Sequence, residues 1–204
     1  MPKRVDHDER RHRIAEALWR IASARGLEGA SLRDVAAEAG ISLGQLQHYF
    51  RSKDDMLVFA LDHIGELAAG RIRTRLRALP DSPSPRALLR ETLAEMLPLD
   101  DRSRTGQLVQ IAYFVRAVHD ERLRRRAKEG IPALRELLAG WIRQAIEAGD
   151  IAADRDPATE AVLLLALVDG LTGYVLLDVQ SPKEAMALLD AHLDRLFEAA
   201  GPKT

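Results

Sequence analysis

The 204-residue chain contains no cysteine. That excludes disulfides, thiolate catalysis and cysteine-based zinc sites together, and it suits a reducing cytosol. Its six histidines (His7, His12, His48, His63, His119, His192) show neither His-x-x-x-His nor HExxH spacing, so no metal site is expected. There is no glycine-rich phosphate loop and no GxSxG, and serines stand mostly where helices need caps. An enzyme would have to assemble its site from scattered residues, so none is expected, and no cofactor is implied. The chain has no internal repeat and no convincing strand. Its start, MPKRVDHDERRHR, mixes charges of both signs without an apolar run, so a secretory signal is not expected there.

What is present suits a globular protein: 47% hydrophobic and 30% charged residues, which argues against disorder. The length allows one large domain or two small ones. The net charge of −1 hides an asymmetry. Residues 1–53 hold 10 Lys+Arg against 7 Asp+Glu, whereas the remainder holds 20 against 24. The sense of that asymmetry agrees with an anion-facing N-terminal region on an acidic body. The run AVLLLALVDGLTGYVLL at 161–177 is at the lower limit of a membrane span. Asp169, Gly170 and Gly173 lie in its middle, and a mid-membrane charge is costly. A core helix buried on two sides is the better reading, with no membrane partner.

Almost everything else reads as helix. At 11–25 the apolar residues Ile14, Ala17, Leu18, Ile21 and Ala22 recur at three- and four-residue spacing, and Gly26 ends the pattern. Ser31 and Ser42 are N-caps for two short helices, Ser31 accepting from the Asp34 amide. Ser52 precedes a long helix over 53–79 with Asp54 and Asp55 in its first turn, the favourable end of the dipole for acids. Further helices are expected at 85–97, 103–119, 121–148, 157–178 and 182–199, separated by Pro80–Pro85, Pro98, Gly149-Asp150 and Ser181-Pro182. The sequence therefore predicts an all-α protein of about nine helices.

The stretch SLRDVAAEAGISLGQLQHYFRSK from Ser31 to Lys53 carries the most specific signal. Small Ala36 lets two helices cross closely, and Gly40 accepts the positive φ of a tight turn. Ile41, Leu46 and Phe50 form an inward stripe. This is the spacing of a helix-turn-helix, whose second helix lies in the DNA major groove. Ser42, Leu43, Gly44, Gln45, Gln47, His48 and Tyr49 remain for the outer face. A glutamine amide can both donate to and accept from adenine, which makes Gln45 and Gln47 candidate readers. Gly44 permits close backbone approach, and His48 and Tyr49 suit phosphate oxygens. Taken alone, the same run would equally suit a solvated helix face. The basic lead-in (Lys3, Arg4, Arg10, Arg11, Arg13) reads either as a DNA arm or as a frayed terminus.

The body offers polar and aromatic groups within apolar helical faces, the composition of a small-molecule pocket. The candidate effector-binding residues are His63, Gln110, Tyr113, Phe114, Trp141, Gln144, Asp169 and Tyr174. Asp169, a carboxylate among Leu and Val, needs a partner, an exposed edge or a cationic ligand. A hydrogen bond across a close helix crossing at Gly170 and Gly173 is the alternative. The helices at 157–178 and 182–199 are expected to pair with a second copy in a four-helix interface through Leu164, Val168, Leu171, Val175, Leu189, Leu193 and Leu196.

The ordered pattern Ile14-x-x-Ala17-Leu18, Gly26-Leu27, Ser31-Leu32-Arg33, Val35-Ala36-x-x-Ala39-Gly40, Gly44-x-Leu46, Tyr49-Phe50, Ser52-Lys53 resembles the TetR (tetracycline-repressor) family of bacterial regulators over residues 10–62. More loosely, Asp156-Pro157 through Ala161 to Val168-Asp169-Gly170-Leu171 is similar to the choline-responsive repressor subgroup. The resemblance implies a head at 1–53 that binds DNA and a body at 54–204 that binds effector and dimerises. It also implies that Arg33 reaches a base edge and that Ser31 and Lys53 hold phosphates. Two positions depart from the family pattern: Gln47 stands where tyrosine is usual, and Leu43 where a polar or basic residue is common. Either a phosphate anchor is lost or Gln47 reads a base.

The expectation is a cytoplasmic, ligand-responsive transcriptional regulator. It would repress by binding a palindromic operator in double-stranded DNA as a homodimer, and an unknown small-molecule effector would release it. An effector-independent activator, an architectural DNA-binding protein and a scaffold that has lost DNA binding are the rivals.

Overall fold

The structure is a computed structural model that describes residues 2–26 and 31–198. Leu27 of the family pattern and the expected helix end at Ala199 lie outside these residues. Nine helices and no strand are found among them: α1 (Pro2–Arg25), α2 (Leu32–Glu38), α3 (Leu43–Gln47), α4 (Lys53–Arg77), α5 (Pro85–Glu95), α6 (Asp101–His119), α7 (Glu121–Ala148), α8 (Pro157–Leu176) and α9 (Pro182–Leu196). The all-α expectation holds, with shifted ends. α1 is helical from Pro2 rather than from residue 11. α4 stops two residues short of Leu79, whose α conformation is disfavoured by Pro80. α6 starts at Asp101 because Asp100 caps it, its carboxylate accepting from the Ser103 amide at 2.7 Å.

The chain folds into two compact units, Met1–Leu67 with Thr105–Asp120 and Ala68–Arg104 with Glu121–Thr204. Packing thus cuts the chain elsewhere than the division of roles at residue 53.

In the first unit, Ile14, Leu18 and Ile21 of α1, Val35 and Ala36 of α2, Leu46 of α3 and Met56 and Leu57 of α4 form one buried cluster, joined by Phe50, Val109 and Ala112. The expected inward stripe is therefore real, with Ile41 packed at its margin. Gly40 turns the chain at φ +65°, and the Ile41 amide donates to the Ala36 carbonyl at 3.0 Å. α2 begins with a full capping box. The Asp34 amide donates to Ser31 Oγ at 3.2 Å, and the Ser31 amide donates to Asp34 Oδ2 at 2.8 Å. Arg25 adds an ion pair to Asp34 at 3.1 Å.

In the second unit, leucines of α5 pack with Leu138 and Ile142 of α7, Leu164, Val168 and Leu171 of α8, and Leu189 and Leu193 of α9. A chain of charges lies along α4, α5 and α9. Glu95, whose side chain is 3% exposed, takes Arg71 as partner and Arg75 at 3.6 Å. Arg75 also reaches Glu91 at 3.4 Å, and Arg90 joins Glu91 at 2.8 Å to Asp190 at 2.6 Å. Such buried carboxylates need their full complement of partners. Arg104 donates to the Val175 and Leu176 carbonyls at 3.3 and 3.0 Å, satisfying the end of α8.

The seven residues expected to face a second copy are corrected by this packing. Leu164, Val168, Leu171, Val175, Leu189, Leu193 and Leu196 are no more than 5% exposed in the single chain and build its own core. The apolar face that α8 turns outward is Val162, Leu163, Tyr174 and, just past its end, Leu177, with Leu188 outward on α9. α8 is also the one helix among the described residues long and apolar enough to cross a membrane by length and composition. Its inward half is the second unit's core, as in any core helix.

Two expectations follow. Leu46→Ala opens a cavity at a fully buried site and is expected to cost about 2–5 kcal/mol, measured by denaturant unfolding at Trp19 in a Trp141→Phe background. The second concerns acid. The Ser31 hydroxyl and amide, then Arg25, hold the Asp34 carboxyl down at about 2. A carboxyl lowered in the folded state stabilises fully above its unfolded value of about 4, and that contribution fades as pH falls toward 2. Between those values the wild type is expected to lose thermal stability more steeply than Asp34→Asn, as followed by circular dichroism.

Candidate DNA interface and effector groups

The helix-turn-helix assembles from local rules. Ser42 caps α3, with the Gln45 amide donating to Ser42 Oγ at 3.1 Å and the Ser42 amide donating to Gln45 Oε1 at 3.0 Å. Leu46 anchors the inner face at zero exposure and Phe50 follows just beyond the helix. α3 is shorter than the sequence implied, because His48 and Tyr49 lie in the turn after it.

The candidate DNA residues fall on the outer side of this unit with different freedoms. Arg33, Ser42, Gly44, Gln45, Gln47 and His48 are exposed, whereas Leu43, Tyr49 and Lys53 are part-buried. Tyr49 packs against the core, its ring centroid 6.4 Å from that of Phe50. A Cβ on Gly44 would meet nothing closer than Ser42 Oγ at 4.0 Å, so the fold itself does not require glycine there. The side chains of Arg33, Gln47 and His48 make no hydrogen bond or ion pair within the described residues, whereas Ser31 Oγ is engaged in donating to Asp34 Oδ2 at 2.6 Å. In the lead-in, Arg11 lies 5.1 Å over the Phe59 ring, a cation–π contact within the first unit. The side chains of Lys3 and Arg4 lie outside the described ones.

The eight effector candidates divide between the units. In the first, His63 lines a small, partly open apolar cleft of about 10 Å³ with Leu18, Trp19, Ala60 and Ile64. Tyr113 is buried, Gln110 is exposed, and Phe114 is 64% exposed. In the second, Trp141 packs against the core, Gln144 is exposed, and Asp169 and Tyr174 lie on exposed positions of α8. Of the eight, His63 is the one that lines this cleft. Asp169 makes no ion pair within the described residues, and surrounding protein desolvates its carboxyl and raises it. Thr172 is spoken for, its hydroxyl donating to the Met96 carbonyl at 3.2 Å.

Two features were not read from the sequence. The Ser42-x-x-Gln45 box has a local signal, the S-x-x-Q spacing. The Arg104 clamp on α8 has none, since its partners stand 71 and 72 residues away.

Comparison with known proteins agrees with this geometry. Residues 14–58 match the family described as bacterial regulatory proteins, tetR family, and residues 85–198 match the BetI-type transcriptional repressor, C-terminal, family. The chain is 37% identical to the HTH-type transcriptional regulator PksA of Bacillus subtilis, covering 87% of this chain and 84% of that one. It is 30% identical to the HTH-type transcriptional regulator BetI of Burkholderia mallei, covering 97% and 98%. Among solved structures, a transcriptional regulator from Saccharomonospora viridis in complex with choline superposes with a TM-score of 0.82 at 26% identity, over 92% of this chain and 96% of that one. A transcriptional regulator from Rhodococcus superposes with a TM-score of 0.77 at 30% identity, over 91% and 95%. The two sequence relatives are HTH-type transcriptional regulators by name, and both solved structures are named as transcriptional regulators. The chain belongs to the TetR family of bacterial helix-turn-helix transcriptional regulators, with a BetI-type C-terminal part.

Proposed function

We propose that the protein is a cytoplasmic repressor that binds a palindromic operator as a homodimer and leaves it when a small molecule binds. The observation that carries the DNA reading is the outer surface of α2 and α3. Its inward face is fully packed, while the side chains of Arg33, Gln47 and His48 find no partner among the described residues. Buried groups are satisfied as a rule, so unpartnered polar side chains gathered on one rigid outer surface suit an external polar ligand. On this reading Arg33, Gln45 and Gln47 contact base edges. Ser31, Ser42, His48, Tyr49 and Lys53 contact phosphates, and Leu43 and Gly44 sit close to the DNA surface.

One α3 spans only a few base pairs, so a two-fold dimer reading two half-sites supplies the specificity. The outward apolar face of α8, with Leu163 50% and Tyr174 53% exposed, supports a partner there. The head at 1–53 then acts on DNA, and the body at 54–204 senses and dimerises. α4 starts at Lys53 and carries Arg71 and Arg75, paired to Glu95, near its end. Effector binding that shifts the end of α4 therefore displaces the phosphate anchor at its start. The effector must favour the DNA-incompetent state by several kcal/mol, about 5.5 for a near-complete switch.

The unpaired Asp169, together with the choline held by the Saccharomonospora viridis relative, supports an effector of positive charge. Tyr113, Trp141 and Tyr174 are the aromatic candidates for such a cation, and His63, Gln110, Phe114 and Gln144 complete the candidate set, which divides between the two units.

Footprinting and fluorescence anisotropy on DNA flanking the protein's own gene test the reading. A protected palindrome bound well above random DNA is expected, whereas equal weak binding to every sequence would overturn it. Lys53→Ala is expected to weaken operator binding about tenfold and to lower the salt slope by about one, with effector affinity unchanged. An affinity that no small molecule shifts would favour an effector-independent activator or architectural binder. Asp169→Asn is expected to lose most of the affinity for quaternary amines, measured by calorimetry, and unchanged binding would remove the cationic effector.

A further inference from the structure

The Ser42–Gln45 capping box constrains what Gln45 can say to a base. A backbone amide only donates, so the atom facing the Ser42 N–H at 3.0 Å is the carboxamide oxygen of Gln45 and not its nitrogen. The oxygen end of the group is thereby turned back to the start of α3. Its NH2 end is the one left over on an exposed side chain, and no acceptor within the described residues takes it. Gln47, two positions on and equally exposed, has neither end engaged.

A glutamine that recognises adenine uses both ends at once, accepting from N6 and donating to N7. Gln45 has only a donor to offer while the box stands. We infer that Gln45 is a donor-only reader, selective in the major groove for keto bases. Guanine presents two adjacent acceptors, O6 and N7, and thymine O4, whereas adenine offers N7 only beside an N6 amino group that opposes the carboxamide NH2, and cytosine offers only its N4 amino group. Two-ended adenine readout then falls to Gln47 alone. This rests on the DNA-facing reading of α3 and goes beyond it by assigning a base class to one residue.

The test is base selectivity. With the footprinted operator in hand, every single-base variant of one half-site is titrated by anisotropy at fixed salt against wild type, Gln45→Glu, Gln45→Ala and Gln47→Ala. Wild type is expected to favour G or T over A or C by about tenfold at one position, and Gln45→Ala to level that position alone. Gln45→Glu is the sharper variant. Glutamate keeps an oxygen for the Ser42 amide, as capping boxes commonly do, so the melting temperature should hold. The donor is replaced by an acceptor, and the preference should invert toward cytosine or adenine. A Gln45-dependent preference for adenine in the wild type would overturn the inference. So would a half-site profile that Gln45→Ala leaves unchanged, although DNA binding itself would then stand. Absence of any operator preferred over random DNA would remove the inference together with the proposed function.

Discussion

A helix of five residues has no stability of its own, because nucleating a turn fixes several residues for very little hydrogen bonding. α3 exists because Leu46 is driven into the cluster built by α1, α2 and α4, and because Ser42 and Gln45 satisfy amides that would otherwise be orphaned. Burying one leucine and the following Phe50 fixes both the position and the rotation of the helix. With the inner stripe committed, Gln47 and His48 can only lie outward. A packing constraint thus decides which side chains α3 presents outward, and Gln47 and His48 are free to vary without disturbing it.

The second unit solves a different problem. Its apolar layers are ordinary, but they are bordered by a chain of arginines and carboxylates from Arg71 through Glu95, Glu91 and Arg90 to Asp190. Apolar contacts tolerate small slides between helices, whereas paired charges hold register through direction and distance. The network therefore ties the distal turns of α4 to α5 and α9 in a defined arrangement. A buried carboxylate such as Glu95 resists partial movement, since losing one arginine leaves an under-compensated charge. Discrete positions of this kind, rather than continuous bending, are what the proposed ligand-biased switch requires.

Capping recurs through both units with the same chemistry. Ser31, Ser42 and Ser181 each form a full capping box, and Asp156 accepts from the Thr159 amide at 2.9 Å. At Asp34, Asp156 and Glu184 the hydrogen bonds lower the carboxyl and favour the charged form. At α3 the same device has a second consequence, because the capping partner is also an exposed side chain on the proposed DNA-facing surface.

The sequence by itself determined whatever depends on neighbours a few residues apart. Nine helices, the Gly40 turn, the serine caps and the inward stripe of the helix-turn-helix were all legible, and the ordered motif from Ile14 to Lys53 was enough to indicate the family. Tertiary structure alone decided questions of side and of distance. α8 is apolar nearly all round, so periodicity could not say which face meets its own core. Packing against α7 and α9 put Leu164, Val168, Leu171 and Val175 inside and left Val162, Leu163 and Tyr174 outward. The eight effector candidates shared a composition, yet they separate into two units. The clamp of Arg104 on the α8 carbonyls joins residues more than seventy apart. Local periodicity encodes the angle of a residue about its own helix axis, whereas the identity of what lies at that angle is set only when distant segments compete for the same buried surface.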